Sequence, residues 1–187
     1  MFALLVILGY LLSRAPERMI HHINKKAFLM RDHGVVKHPV IKLYYSLDLL
    51  LPLFVCLVLF FLPEKKGALL PASAQLSALL FLYAGALLRL WSLISLGGLF
   101  SLECIWLNNV AASTKGPYKW LKHPDFLGRF LEGCGFIVCV LAPSGYAYDG
   151  VAIFAVTSLV LVRYMVKLEK HCQKQANSES VLQSAVS

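Results

Sequence analysis

Charged side chains are scarce in this sequence of 187 residues. Asp, Glu, Lys and Arg together make up 15% of it, whereas they make up about 25% of an average soluble domain. Hydrophobic residues make up 58%, and the mean hydropathy is +0.67. A soluble domain of this length would have to bury its long apolar runs in one small core, which is too small to hold them. The composition therefore predicts an integral membrane protein.

Cysteine and histidine are too few and too scattered to suggest a disulfide framework or a metal site. The five cysteines form no CxxC pair, and most lie in apolar runs, so we expect them to behave as small hydrophobic side chains. The six histidines show no HxxH or HxxxH spacing, which is the spacing typical of metal ligands on a helix. We therefore expect no bound metal.

The apolar runs predict an all-α fold, a polytopic helical bundle with about five transmembrane helices. Four spans are expected at residues 43–63, 74–96, 126–142 and 148–166. The first run, residues 1–13, would rise only about 20 Å as a helix, against a hydrocarbon core of about 30 Å. It is therefore expected to continue toward residue 24, with a kink at Pro16.

Basic residues are distributed unevenly about these spans. Thirteen of the eighteen Lys and Arg fall in residues 14–42, 115–122 and 167–174. By the positive-inside rule these segments are cytoplasmic, which gives an N-out, C-in topology. The net charge of +8 thus follows the membrane, and nucleic acid is not an expected partner. We expect a single domain over residues 1–172 and a disordered cytoplasmic tail over residues 173–187.

Four charged residues fall within the predicted spans, namely Arg89, Arg129, Glu132 and Arg163. Each costs about 2.5 to 3.5 kcal/mol to insert at the centre of a bilayer, so all four are expected to face a polar cavity rather than lipid. Arg129 and Glu132 are three residues apart on one helical face and are expected to pair. A purely structural ion pair is the alternative to a cavity wall at this point.

The segment from Lys115 to Gly128 is a polar, basic and aromatic island between apolar runs. Gly116 and Pro117 predict a rigid turn, and Pro124 disfavours helical geometry at His123. Backbone that is not helical at membrane depth is tolerated only where protein or a water-filled cavity satisfies its polar groups. The island therefore indicates either a buried cofactor pocket or a plain interfacial loop.

The island carries a family resemblance. Its residues GPYKWLKHPDFLG resemble the GPYxxxRHPxYxG signature of the isoprenylcysteine carboxyl methyltransferase family, and the likeness covers about residues 85–172. Leu88 to Trp91 with the following SLGGLFS, and Arg163 to Glu169, also resemble that family. In the first third, Arg14, Glu17, Asn24 and Gly34 are similar in order to the bacterial branch that methylates alkylpyrones and alkylresorcinols.

The resemblance implies a transferase of the bacterial inner membrane that uses S-adenosyl-L-methionine on the cytoplasmic side. It implies O-methylation of an acceptor held in the lipid bilayer, either amphipathic and lipid-like or prenylated. The residues it implies for the cofactor are Val110, Ala111, Ala112, Ser113, Tyr118, His123, Pro124, Asp125, Phe126 and Glu169. The candidate catalytic residues are the charges in the spans, Arg129, Glu132 and Arg163.

The sequence departs from the family pattern at several of these positions. Lys122 replaces the usual Arg, Asp125 and Phe126 replace the usual Asn or Ser and Tyr, and Lys170 replaces the second of two glutamates. At Met165 the isoprenylcysteine enzymes place an arginine that holds the substrate carboxylate. An apolar residue there favours a phenolic, enolic or other lipid acceptor over a free carboxylate.

Two other functions fit parts of the pattern. Sterol-type membrane reductases, which bind NADPH, have a similar HPxY turn and a C-terminal acidic-x-x-Cys pattern that Glu169 and Cys172 match. The departures at Asp125, Phe126 and Lys170 also fit a membrane scaffold that has lost catalysis.

Overall fold

The computed structural model describes residues 2–20, 22, 35–37, 39–62, 70–96, 104–106 and 116–186. Their helices are α1 (Phe2–Leu12), α2 (15–20), α3 (Pro39–Phe60), α4 (Ala72–Leu96), α5 (Pro124–Leu141) and α6 (Ala147–Val186). Short 3-10 helices lie at Gly116–Lys119 and Ala142–Ser144. The predicted all-α membrane bundle is thus confirmed.

Two short strands accompany the helices. Strand β1 (Val35–Lys37) pairs antiparallel with β2 (Cys104–Trp106), and Val35 lies opposite Trp106. The pair joins the chain before α3 to the chain after α4. It was not predicted, because strand pairing over such a sequence distance leaves no periodic signal in runs of three residues.

Three of the described helices are long and apolar enough to cross a membrane. They cover Ala72–Leu96, Pro124–Ser144 and Ala147–Leu168, close to the predicted third, fourth and fifth spans. The shortest has 21 residues, which rise about 32 Å and so match a hydrocarbon core of about 30 Å. The chain is an integral membrane protein. The apolar stretch of α3 that is described, Leu50–Phe60, is shorter than these three.

The first helix breaks before Pro16 rather than at it. Helix α1 ends at Leu12, a turn occupies residues 13 and 14, and α2 begins at residue 15. Pro16 thereby lies in the first turn of a new helix, where its missing N–H costs no hydrogen bond. The break places Arg14 in the turn and Glu17 on a short helix, and both side chains are buried in the bundle.

Helix α5 is the centre of the bundle. Of its apolar stretch 56% is buried, against 11% for that of α6. Tyr10 of α1 packs on Phe136 of α5 with the ring centroids 4.4 Å apart, and Phe154 of α6 packs on Phe130. The remaining surface of α3, α4 and α6 exposes many large apolar side chains, which is the surface expected to face lipid.

Helices α4 and α5 run antiparallel and approach each other closely through glycine. A Cβ atom on Gly85 would lie 2.5 Å from both the backbone N of Glu132 and the backbone O of Gly128. Small residues allow this approach, which is how membrane helices gain van der Waals contact. The C-terminus of α4 and the N-terminus of α5 therefore meet at one end of the bundle.

Helix α6 continues beyond the membrane to Val186. It includes most of the segment 173–187 for which the sequence predicts a disordered tail. That segment contains neither Gly nor Pro, so nothing in it interrupts a helix that the last span has already nucleated.

Candidate functional site

The polar island lies against the C-terminal end of α4. Gly116 has a φ of 62°, in the left-handed region that favours glycine. A Cβ atom there would lie 3.0 Å from Cβ of Ser95 and 3.2 Å from Nε1 of Trp91. Trp91 also meets Trp120 edge to face at 6.2 Å. The predicted turn is confirmed, and its glycine is required both by φ and by the space available.

His123 forms the corner where the island enters α5. Its φ of −135° and ψ of 67° are not helical, as the following Pro124 predicts. Its ring stacks on Phe126 with the centroids 5.3 Å apart. On the other side, Phe126 packs against Met165 of α6. The turn from His123 to Phe126 is therefore fixed between the island and the last helix.

Beneath this turn lies a buried cluster of charged side chains from three helices and from the turn between α1 and α2. Each is at most 5% exposed. The cluster consists of Arg14 and Glu17 from α1–α2, Arg89 from α4, and Arg129 and Glu132 from α5.

Glu17 binds three guanidinium groups. Its Oε1 lies 2.5 Å from Nη2 of Arg89 and also contacts Nη2 of Arg129. Its Oε2 lies 4.0 Å from Nη1 of Arg14. Because Glu17 joins three helices, it holds α2 against α4 and α5.

Glu132, three residues after Arg129 on α5, also joins several parts of the chain. It accepts hydrogen bonds from Nη1 of Arg89 and from the hydroxyl of Ser13. Nη2 of Arg14 lies 3.7 Å from its Oε2 and donates to the hydroxyl of Tyr10 at 2.8 Å. The two glutamates thus share Arg14 and Arg89 between them.

Asp125 connects this cluster to the turn at His123. Nε of Arg129 donates to Oδ2 of Asp125 at 2.9 Å, and Arg129 in turn binds Glu17. With Asp125 counted, three arginines face three carboxylates, so the cluster is neutral overall. This balance is how charges are tolerated inside a membrane bundle.

The second oxygen of Asp125 has no hydrogen-bond partner among the described residues. Oδ1 is buried, and the side chain as a whole is 13% exposed. A buried acceptor left without a donor costs about 1 to 3 kcal/mol, and more when it is charged. Such an atom in a native protein calls for a binding partner.

Tyr118 lies half-buried beside Asp125. Burial raises the pKa of its phenol, and the negative charge of Asp125 raises it further, while Arg129 and a hydrogen bond with Ser92 act in the opposite direction. The phenol therefore remains protonated at neutral pH and can donate a hydrogen bond.

The structure brings together some of the predicted site residues. Tyr118, His123, Asp125 and Phe126 meet at one end of α5, with Arg129 and Glu132 below them. Arg163 does not join them, because its side chain is exposed on α6; the expectation that it faces the same cavity as the other charges is not met. Residues 110–113, and the side chain of Glu169, lie outside the described part of the structure.

The predicted pairing of Arg129 with Glu132 gives way to a wider network. Arg129 binds Glu17 and Asp125, whereas Glu132 takes Arg89, Arg14 and Ser13. The positive-inside rule assigns Arg14 to a cytoplasmic segment because of its charge. Its spacing of three from Glu17, directly after an apolar helix, is the signal for a buried pair.

An open cavity of about 460 Å³ lies beside α6, around residues 164–174. Its described lining comes from Tyr164, Lys167, Leu168, Lys170, His171 and Lys174. The residues of the turn at His123 are not in this described lining, but Leu168 of the lining and Phe126 of the turn both pack against Met165.

Comparison with known proteins bears on the same part of the chain. Residues 77–172, just over half of the chain, match the model of the isoprenylcysteine carboxyl methyltransferase (ICMT) family. The chain belongs to this family. The match runs from α4 to α6 and leaves out α1 and α2, so Arg14 and Glu17 lie outside the part that defines the ICMT family.

A bacterial relative extends over nearly the full length. The chain is 26% identical over 170 residues to the uncharacterized protein YpbQ of Bacillus subtilis (strain 168), which covers 90% of this chain and 94% of that protein. No solved structure matches the chain.

Proposed function

We propose that this ICMT-family protein transfers a methyl group from S-adenosyl-L-methionine to an oxygen atom of an amphipathic acceptor in the membrane. The observation that carries the proposal is that the match to a methyltransferase family spans the polar turn at His123 and three of the buried charges beneath it, Arg89, Arg129 and Glu132. The turn lies at one end of the described helices that are long and apolar enough to cross a membrane.

The residues at this end suit S-adenosyl-L-methionine. When bound, the cofactor supplies a methyl group on a cationic sulfonium. A carboxylate and aromatic faces are the groups that favour such a cation, and Asp125, Tyr118 and Phe126 provide them. We assign the pocket to Tyr118, the turn from His123 to Phe126, the segment 110–113 and Glu169.

The protein contributes mainly by positioning. Methyl transfer is an in-line displacement in which orienting the two reactants supplies a large part of the rate. The ion network ties α2, α4 and α5 together beneath the turn, so groups attached to this end of the bundle are held in place. Arg129 and Glu132 serve this framework through Asp125 and Arg89, and they are positioning rather than reacting groups.

The acceptor is a hydroxyl compound rather than a free carboxylate. Isoprenylcysteine enzymes place an arginine for the substrate carboxylate at the position of Met165. Here Met165 is buried and packs against Phe126, Leu161 and Leu168, so both the residue and its surroundings are apolar. The apolar part of the acceptor is expected to reach the site from lipid, since Trp120 and Leu127 beside the turn are exposed.

We assign this end of the bundle to the cytoplasmic side of a bacterial inner membrane, with the N-terminus outside, because the positive-inside rule favours that orientation for the basic segments. Lys119 and Lys122 of the island and Lys167 and Lys170 of α6 are exposed at this same end. S-adenosyl-L-methionine is then available from the cytoplasm.

Transfer of radiolabelled methyl from S-adenosyl-L-methionine into extracted membrane lipids tests the proposal. We expect label in lipid from cells that express the wild-type protein, and label at background with His123→Ala, because the turn loses its stacked ring. His22→Ala, at an exposed histidine on the same side of the membrane, is the matched control and is expected to behave as wild type. Wild-type label no higher than that of His123→Ala would count against the proposal.

Calorimetry with the purified protein in detergent separates the rival functions. The proposal predicts saturable binding of S-adenosyl-L-methionine. Tight binding of NADPH in its place would instead indicate a sterol-type reductase. Binding of neither cofactor would indicate a scaffold.

A further inference from the structure

The carboxylate of Asp125 presents one oxygen that is buried and held in a fixed direction. Oδ2 accepts the hydrogen bond from Nε of Arg129 at 2.9 Å. Oδ1 is buried and has no hydrogen-bond partner in the described part of the chain. A buried carboxylate oxygen in a native protein is normally paired, so a donor from a bound ligand is the group that this oxygen lacks.

Two further contacts keep the carboxylate from turning. Nη2 of Arg129 binds Oε1 of Glu17, and the same oxygen lies 2.5 Å from Nη2 of Arg89. Arg129 is therefore held at both ends of its guanidinium group. Glu17, which lies outside the segment that matches the family, thereby sets the orientation of Asp125.

We infer that Oδ1 of Asp125 accepts the proton of the acceptor's hydroxyl group during methyl transfer. The inference rests on the proposed function, with a phenol or enol as the hydroxyl acceptor, and adds a catalytic residue to it. A carboxylate acceptor is already ionised at neutral pH and would need no base. Glu17 is then a positioning residue that acts through Arg129.

Methyl transfer moves one proton and exchanges one bond to carbon. The acceptor's O–H bond breaks, and its proton moves to Oδ1 of Asp125. The acceptor oxygen forms a bond to the methyl carbon while the bond from that carbon to sulfur breaks, and the electron pair of the broken bond stays on sulfur. The proton then leaves Asp125 for water when the methylated product departs.

The sulfonium itself has no hydrogen to donate, but the ammonium and ribose hydroxyl groups of the cofactor do. They are the competing source of a donor to Oδ1. Among the described residues, the charged and titratable groups around the pair of Asp125 and Arg129 include Glu17 from α2, Arg89 from α4, Tyr118 from the 3-10 helix and His123 from the turn. Removal of the Asp125 charge alone therefore has to be compared with removal of a neighbour.

The test uses Asp125→Asn and a series of long-chain alkylphenols whose ring substituents make them more or less acidic. Wild-type protein in vesicles is expected to methylate weakly acidic and acidic phenols at similar rates. Asp125→Asn is expected to lose about 100-fold or more on the weakly acidic phenols, the usual effect of a general base. It is expected to lose much less on a nitrophenol, which is ionised before it binds.

The controls separate the role of Asp125 from folding and from cofactor binding. The dissociation constant of S-adenosyl-L-methionine, measured by calorimetry, is expected to rise by less than about tenfold in Asp125→Asn, because the neutral amide attracts the sulfonium less strongly. The binding that remains also shows that the variant is folded. Asp149→Asn, at an exposed aspartate at the start of α6, is expected to match wild type. Glu17→Gln is expected to show a smaller loss with the same dependence on phenol acidity.

Two results would overturn the inference while leaving the proposed function intact. One is a loss in Asp125→Asn that is equal for all phenols or absent. The other is a cofactor dissociation constant raised about tenfold or more with no dependence on acidity, which would assign Oδ1 to the cofactor. Failure of the wild-type protein to methylate any phenol while it transfers methyl to another lipid would reject the substrate class. Failure to transfer methyl at all would reject the proposed function.

Discussion

Replacement of Glu132 by alanine is expected to lower the free energy of unfolding by about 3 to 5 kcal/mol, the cost of removing one partner from a buried ion pair. Glu132 is fully buried and accepts hydrogen bonds from Arg89 and Ser13. Without it, Arg89 keeps only Glu17 as a carboxylate partner among the described residues, and Arg14 loses its contact with Oε2. Equilibrium unfolding in mixed micelles measures the change.

A double variant separates loss of a partner from loss of volume. Arg89→Met combined with Glu132→Leu removes both charges of the pair, and apolar replacement of a whole buried pair is often close to neutral. We expect it to recover part of the loss seen in Glu132→Ala. Asp149→Ala, at an exposed acid, should stay within about 0.5 kcal/mol of wild type. A Glu132→Ala variant as stable as Asp149→Ala would show that the network does not stabilise the fold.

Gly85→Ala is expected to cost about 2 to 3 kcal/mol, at the upper end for overpacking. The added Cβ would lie 2.5 Å from two backbone atoms of α5, and backbone cannot move aside as the end of a side chain can. Helices α4 and α5 would have to separate, which would also lengthen the contact between Arg89 and Glu132. The same unfolding measurement, together with methyl transfer, would record both effects.

Gly9 of α1 is the matched control for this prediction. A Cβ atom on Gly9 would meet nothing within 4 Å. Gly9→Ala should therefore be neutral or stabilising by up to about 1 kcal/mol, since alanine has the higher helix propensity. Opposite signs for the two substitutions are the expected outcome. Equal effects would mean that α4 and α5 are not in close contact at Gly85.

Features that depend on local sequence could be predicted. The spans of α4, α5 and α6 follow from apolar runs of sufficient length, and the non-helical backbone of His123 follows from Pro124. The requirement that Arg89, Arg129 and Glu132 avoid lipid follows from the cost of burying charge, and the structure buries all three.

The choice of partners could not be predicted, because it depends on how distant segments meet. Glu132 binds Arg89 and Ser13, which lie 43 and 119 positions away in the chain. The positive-inside rule counts Arg14 among the solvated basic residues of a cytoplasmic segment. In the structure, the break after Leu12 lets its side chain enter the bundle, where it is buried. The cost of exposing a charge to lipid applies to Arg163 as it does to Arg129. Helix α6 nevertheless presents the side chain of Arg163 on an exposed face.

The most direct test of a methyl-transferring site at the polar end of α5 uses the purified protein in lipid vesicles. It is supplied with an alkylresorcinol and with S-adenosyl-L-methionine that carries a deuterated methyl group, and the lipids are analysed by mass spectrometry. We predict a product that gains one deuterated methyl on oxygen with the wild-type protein and none with His123→Ala. Saturable binding of the cofactor with no deuterated lipid product, from this acceptor or from the total lipids of the host, would contradict it.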